Sequence, residues 1–499
     1  MKLDTAWNSL TERLSELETL EGLVGLLEWD QQTNMPARGG SNRGEQMALL
    51  SRTAHQRLTD PRVGEWLGAL EAAPALSEVQ AAALRNTRRE YDRAVRVAPD
   101  LVERIARSQA RGFESWISAK QSADFTAFAP ALGELVELVA ERARSIDDGR
   151  PVYDVLLDEF DPGTSTETLR STFGHLREGL VELIGAVSEV PALPALDTRL
   201  DRAAQRALQE EVVAAIGFSF DEGRLDEAEH PFTVGIGQGD VRITTHIYDD
   251  NVLSGLGGAV HEAGHAMYEQ GLPHHLRGTS VARAASMGLH ESQSRLWENF
   301  IGRSMPFFRW LEPLAARHFP GEGITAERLY QAANRVSPGL IRVAADEVTY
   351  NLHIIVRFEL ELALFSGLRM EELPELWNER YREFLGVLPH NDGVGVLQDV
   401  HWASGAFGYF PSYTLGNLYA AGLGETLLDQ HPALWAQVEA GDFAPTLRWL
   451  REKVHSRGHI ADAPQIVTDA IGRRDLVESL LSYLWDRHGA LHGVRRPVR

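Results

Sequence analysis

The chain of 499 residues contains no cysteine. Disulfides, thiol nucleophiles, thiolate zinc sites and thiolate-held iron–sulfur clusters are therefore excluded. A protein-held metal must be bound by His, Asp or Glu, and 18 His are present. Lysine is scarce as well: Lys2, Lys120 and Lys453 stand against a large excess of Arg. That skew is a matter of base composition and carries no functional weight. The 49 Lys+Arg fall well short of the 71 Asp+Glu, leaving a formal net charge of −22. Such a chain lacks the basic surface that nucleic-acid phosphates require. No apolar run approaches the ~18 residues of a membrane helix. The opening Met1-Lys2-Leu3-Asp4 runs into polar and amphipathic sequence, unlike a signal peptide. With 43% hydrophobic and 24% charged residues, the composition is that of a soluble globular protein. A cytoplasmic enzyme of bacterial type, with no nucleic-acid or membrane partner, is the expectation.

What is present is mostly helical period. Leu3, Trp7, Leu10, Leu14, Leu17 and Val24 form an apolar stripe at helical spacing, as core-packing helices do. Similar patterning predicts helices over 42–58, 76–120, 127–147, 165–188, 199–216, 252–270, 281–301, 306–318, 325–366, 370–385, 411–429 and 472–488. Between Phe218 and Tyr248 this period fades. Val241 to Tyr248 reads as a strand, and Phe232 to Ile236 as its antiparallel partner. No linker divides the chain. It reads as one large, mostly helical unit over 1–499, with room for a bilobed arrangement.

The chemistry concentrates at His261-Glu262-Ala263-Gly264-His265. Two His at i and i+4 share a helix face and can reach one ion, and Glu262 beside them can take a proton from a water on that ion. A hydrolytic zinc site generally has three protein ligands and one position for water. The third ligand must come from elsewhere: His246, Glu269, His274, His275, His290, Glu291 and Glu298 are the nearby choices. Glu269 would have to bend around the ion from the same helix, and His274 and His275 follow Pro273 in a turn. Glu291 opens a fresh helical segment that can run back past the first. Its plain alternative is an i,i+4 ion pair with Arg295, and spacing alone leaves both open.

These residues resemble a known family. His261-Glu262-Ala263-Gly264-His265 paired with His290-Glu291-Ser292-Gln293-Ser294-Arg295 is similar to the carboxypeptidase Taq family of metallocarboxypeptidases. Further blocks agree in order: Trp29-Asp30 through Met35-Pro36, Asp240-Val241-Arg242-Ile243-Thr244-Thr245, Ile341-Arg342 through Tyr350, and Gly395 through Gln398-Asp399-Val400-His401-Trp402. The resemblance implies a mainly α, neurolysin-like and angiotensin-converting-enzyme-like fold. It would have a deep central groove, with the helices of residues 1–150 as a wall or lid of a single peptidase unit, and a small antiparallel β element beside the metal site. It implies removal of single residues from free peptide C-termini, with broad specificity that spares proline. It further implies metal ligands His261, His265 and Glu291, Glu262 as general base, zinc with cobalt as a substitute, and a homodimer. One departure is His246, where the family pattern carries Arg after the paired threonines.

Other roles remain to be filled. His401, Tyr409 and Tyr413 are candidate donors to the oxyanion, although buried Tyr is commonly a core residue. Arg342 is the candidate for the substrate carboxylate, since its planar fork matches one; a helical i,i+4 pair with Asp346 is the bland reading. Asp346 and Glu347 are candidate acceptors for the ligand imidazoles. Strand 241–248 is a candidate edge for an extended peptide. The rival functions are a metallo-oligopeptidase and a helical scaffold with a dead site.

Overall fold

The computed structural model describes residues 3–196 and 198–497 and is mainly α-helical, as the periodicity predicts. The chain divides into two compact units, each assembled from three separated segments. The first takes Met1–Val95, Ala195–Ala333 and Tyr419–Arg474; the second takes Arg96–Pro194, Asn334–Leu418 and Asp475–Arg499. Among the described residues no helix is long and apolar enough to cross a membrane.

In the first unit, Leu10, Leu14 and Leu17 of the helix Leu3–Thr33 are buried with Val63, Leu67 and Leu70 of the helix Pro61–Glu71. Trp29, near the end of the first helix, lies 4.2 Å from the Arg242 guanidinium and 5.0 Å from that of Arg224. The Trp29-Asp30 block is thus a cation–π contact with the sheet, and Asp30 pairs with Arg43.

The expected antiparallel pairing is present as β2 (Thr233–Gly237) against β3 (Asp240–Thr245), joined through Gln238-Gly239. A third strand, β1 (Gly223–Glu227), pairs parallel to β3. The order β1–β3–β2 makes the element mixed rather than purely antiparallel. Sequence periodicity misses β1 because only Leu225 of its five residues is buried. Paired on both sides, β3 offers no free edge, so the expectation that this strand receives a peptide is corrected.

The helix Val252–Glu269 follows directly. The Asn251 side chain caps it by accepting from the Ser254 amide. Small and apolar residues surround its axis, and Gly255, Leu256, Ala259, Val260, Ala263, Ala266 and Met267 are all buried. A helix apolar on all sides belongs in a core.

The second unit is built around the helix Tyr350–Phe365. It packs against Ala129–Ile146, Val152–Phe160, Thr166–Ser188 and Leu373–Leu385. Leu352, Ile354, Val356 and Leu360 are buried on it, and so are Arg357 and Glu361.

Two predicted helices are broken. Residues 76–120 form Glu78–Arg96 and Pro99–Ser122, because Pro99 has no amide hydrogen to continue a helix and suits the start of one. Residues 325–366 form Ala326–Ala333 and Tyr350–Phe365, separated by an irregular segment containing Pro338-Gly339. Asp346 holds that segment: its carboxylate accepts from the amides of Ser337, Val348 and Thr349 and from the Thr349 hydroxyl, at 2.8–3.0 Å. Asp346→Ala should therefore lower unfolding free energy by about 1–3 kcal/mol in chemical denaturation, with metal stoichiometry unchanged. Full stability in the variant would contradict this assignment.

Candidate metal centre and guanidinium cluster

His261 and His265 sit one turn apart on the helix Val252–Glu269. Their Nε2 atoms face the same oxygen, Oε2 of Glu291, at 3.6 and 3.3 Å. Glu291 comes from the next long helix, Met287–Arg295, whose start is capped by Ser286 accepting from Leu289. Two ligands about 2.0–2.1 Å from a tetrahedral ion stand about 3.3 Å apart, so the spacing fits one divalent ion. Among the described residues these three form the one such His/Asp/Glu trio.

The approach of the two helices depends on Gly264. A β-carbon there would lie 2.6 Å from Ser294 Cα and 2.8 Å from the Gln293 carbonyl oxygen. Backbone therefore meets backbone, and any larger residue would push Glu291 away from the imidazoles.

The two oxygens of Glu291 face different partners. Oε2 faces the imidazoles, while Oε1 accepts from Arg295 Nε at 2.7 Å. Burial alone would raise the Glu291 carboxyl, but Arg295, His261 and His265 outweigh it and hold it well below the usual carboxylate range. The same Arg295 reaches Glu298 Oε2 at 3.1 Å. Glu298 in turn takes His261 Nδ1 at 2.8 Å. Burial would raise Glu298 too, but Arg295 and His261 hold it at about 2. His265 Nδ1 meets His290 Nδ1 at 2.6 Å, and His290 Nε2 meets Glu269 Oε1 at 2.8 Å. Each imidazole is thus fixed from behind, with Nε2 turned to the side where a metal could be held.

This corrects the expectation for Asp346 and Glu347. Asp346 caps its own segment, and Glu347 is buried with Tyr483, Arg487 and His488. The acceptors are instead Glu298 and the His290–Glu269 pair, three residues that spacing suggested as ligands. His246 turns to the Ala228 carbonyl, and His274 and His275 lie in a short 3-10 turn.

Glu262 is buried beside this trio. Its Oε2 accepts from Thr233 Oγ1 of β2 at 2.6 Å. Burial pushes its carboxyl up from the ordinary value, against the pull of His261 and Thr233. Thr233 was not anticipated; its only signal was the strand preceding the helix.

The remaining predicted residues gather in the second unit. Arg342 lies in a 3-10 turn rather than on a helix, and its partner is Asp399, not Asp346. Arg342 Nε donates to Asp399 Oδ1 at 2.9 Å, and Arg357 Nε donates to Oδ2 at 2.6 Å. Two buried guanidinia therefore share one carboxylate. Burial would raise Asp399, but Arg357 and Arg342 outweigh it and hold it well below its usual range. Gln398 ties the segments together: Oε1 accepts from the Arg342 amide and Nε2 donates to the Leu340 carbonyl. The two blocks around Arg342 and His401 are thus halves of one cluster. Tyr413 lies 5.2 Å under the Arg342 guanidinium. His401 Nε2 approaches the Tyr413 hydroxyl at 3.3 Å, and its ring stacks on Tyr409 at 5.7 Å. Burial lowers His401 to about 4 despite Asp399, so it is neutral at pH 7.

Known proteins resemble this chain over nearly its whole length. A family model described as carboxypeptidase Taq (M32) metallopeptidase matches residues 9–488. Thermostable carboxypeptidase 1 of Thermus thermophilus is 41% identical over 510 residues, covering 99% of this chain and 100% of that protein. Carboxypeptidase 1 of Bacillus subtilis is 35% identical over 501 residues, covering 99% and 100%. Among solved structures, an M32 carboxypeptidase from Deinococcus radiodurans R1 superposes with a TM-score of 0.96 at 35% identity, covering 98% of this chain and 100% of that one.

Glu298→Ala should weaken metal binding about 10- to 100-fold in a chelator competition. An unchanged affinity would mean that Glu298 does not orient His261. Asp399→Asn leaves two buried guanidinia without their counter-charge and should cost about 3–5 kcal/mol in denaturant unfolding. A loss below 1 kcal/mol would show that solvent already screens the pair.

Proposed function

Because the chain belongs to the carboxypeptidase Taq (M32) family of metallopeptidases, we propose that it shortens peptides from a free carboxyl end. It removes one residue at a time with broad side-chain tolerance. The observation that carries this reading is the convergence of His261 Nε2, His265 Nε2 and Glu291 Oε2 beside the buried carboxyl of Glu262. His261, His265 and Glu291 would hold a divalent ion, zinc by their donor set, which would supply Lewis-acid polarisation of a carbonyl and acidification of a water.

The chain's own groups do the rest. Thr233 holds Oε2 of Glu262, which leaves Oε1 to accept the proton from the attacking water and return it to the leaving amine. Burial pushes that carboxyl up from its ordinary value, which favours its holding the proton between the two steps. Glu298 and His290 keep the ligand imidazoles from turning.

Arg342 and its surroundings are the proposed binding place for the peptide carboxylate. Arg342, Arg357 and Asp399 together carry one positive charge in excess. A buried excess of that sign is compensated by an incoming carboxylate, and guanidinium matches its geometry. The neutral imidazole of His401 and the hydroxyls of Tyr409 and Tyr413 are hydrogen-bonding groups of the same cluster and the proposed donors to the oxyanion.

A free-acid peptide and its amidated twin should separate this reading from internal cleavage. The metal-loaded protein is expected to trim the free acid stepwise and to leave the amide intact. Equal cleavage of both overturns the proposal. Glu262→Gln should lower kcat about 10²- to 10⁴-fold while a full equivalent of metal stays bound. Substantial residual turnover would remove Glu262 from the role of base.

A further inference from the structure

Glu361 lies in the middle of the helix Tyr350–Phe365, with no exposed surface. All three of its hydrogen-bonding partners are donors. Tyr153 Oη donates to Oε2 at 2.6 Å, the Gly408 amide donates to Oε2 at 2.9 Å, and Trp402 Nε1 donates to Oε1 at 2.9 Å. Trp402 immediately follows His401, and Gly408 immediately precedes Tyr409. One carboxylate therefore holds both ends of the loop that separates these two residues.

The rest of the loop is fixed from the other side. Gly408 has φ +84°, and a β-carbon there would lie 2.9 Å from the backbone of Leu156 and Leu157 in the helix Val152–Phe160. Tyr409 packs edge-on against Phe160 at 5.0 Å, and Ser412 donates to Asp161. Tyr153, the third donor to Glu361, stands on that same helix. Burial pushes Glu361 up to about 7, against the pull of its three donors and of Arg357. A buried carboxylate is a costly way to fill this space, and an apolar side chain would fill it at lower cost. Its use is explained by what it orients.

We propose that Glu361 is a positioning residue that sets the spacing of His401 and Tyr409 by anchoring the two ends of the 402–408 loop. The proposal rests on the reading of His401 and Tyr409 as substrate-facing groups. Glutamine cannot substitute: in either orientation its amide N–H₂ confronts the N–H of Trp402 or of Gly408, neither of which can accept. Tyr153 differs, because its hydroxyl contributes one bond and touches neither end of the loop.

The test compares full-length, metal-loaded Glu361→Gln, Tyr153→Phe and the unsubstituted enzyme. Steady-state kinetics on a free-acid peptide are combined with metal stoichiometry and hydrogen–deuterium exchange of residues 401–413. Both variants should melt earlier and retain metal. Only Glu361→Gln should lose kcat/KM, by about 10- to 100-fold, as expected when a reacting geometry slips by about an ångström. Exchange in 401–413 should accelerate in that variant alone. A folded Glu361→Gln with kcat/KM within about threefold of the unsubstituted enzyme overturns the proposal. So does a Tyr153→Phe variant that falls equally far, since the effect is then one of general stability. If Glu361→Gln does not fold, Trp402→Phe removes the bond beside His401 while keeping an aromatic ring. The same kinetic loss is then expected, and unchanged kinetics overturns the proposal. Absence of turnover in the unsubstituted enzyme would instead sink the carboxypeptidase reading, and the exchange comparison alone would decide the role of Glu361.

Discussion

Two helices touch backbone to backbone at Gly264, and the first unit's chemistry depends on that contact. A carboxylate side chain is short, so Glu291 reaches the imidazoles of His261 and His265 only because Ser294 Cα lies within a β-carbon's reach of Gly264. The same closeness brings Arg295 and Glu298 into line behind the trio. Arg295 bridges the two carboxylates, which would otherwise repel each other in a buried place. Arg303 reaches the other oxygen of Glu298 at 3.5 Å, so two guanidinia face the two carboxylates. The order of charges is therefore complete before any ion is considered: carboxylate, guanidinium, carboxylate, then imidazole.

The second unit inverts that logic. Arg342 and Arg357 share Asp399, so the excess is positive. In a chain whose formal net charge is −22, this cluster runs against the overall field, because a guanidinium stays charged even when buried. Neutral groups adjoin it. His401 is kept uncharged by burial, which leaves the guanidinia as the cluster's positive charges.

Both units hold their chemistry on helices that are otherwise apolar. Glu262 sits among Val260, Ala263 and Ala266; Arg357 and Glu361 sit among Val356, Phe358 and Leu360. Isolated charges in such runs are expensive unless every one is matched. Here Glu262 has Thr233, Arg357 has Asp399, and Glu361 has three donors. That rule makes Arg357 and Glu361 legible as functional candidates in retrospect, since the apolar run Leu352–Leu364 gives them no surface to occupy.

Local pattern alone determined that the chain is helical, that a strand pair precedes the motif helix, and that His261 and His265 share a face with Glu262 beside them. Each follows from residues a few positions apart, whose geometry the helix or strand repeat dictates. The absence of cysteine determined that the site would be His and carboxylate. Family resemblance carried Glu291, which spacing left balanced against an Arg295 pair. Tertiary structure decided what no repeat encodes. It broke the helix expected over 325–366, replaced Asp346 by Asp399 as the partner of Arg342, and placed Glu298 and His290 behind the imidazoles of His261 and His265. It also added β1, which closed the edge of β3. These outcomes depend on side chains 25 to 57 positions apart meeting in a packed interior. There, which acceptor a buried donor finds is set by the approach of whole elements rather than by local spacing.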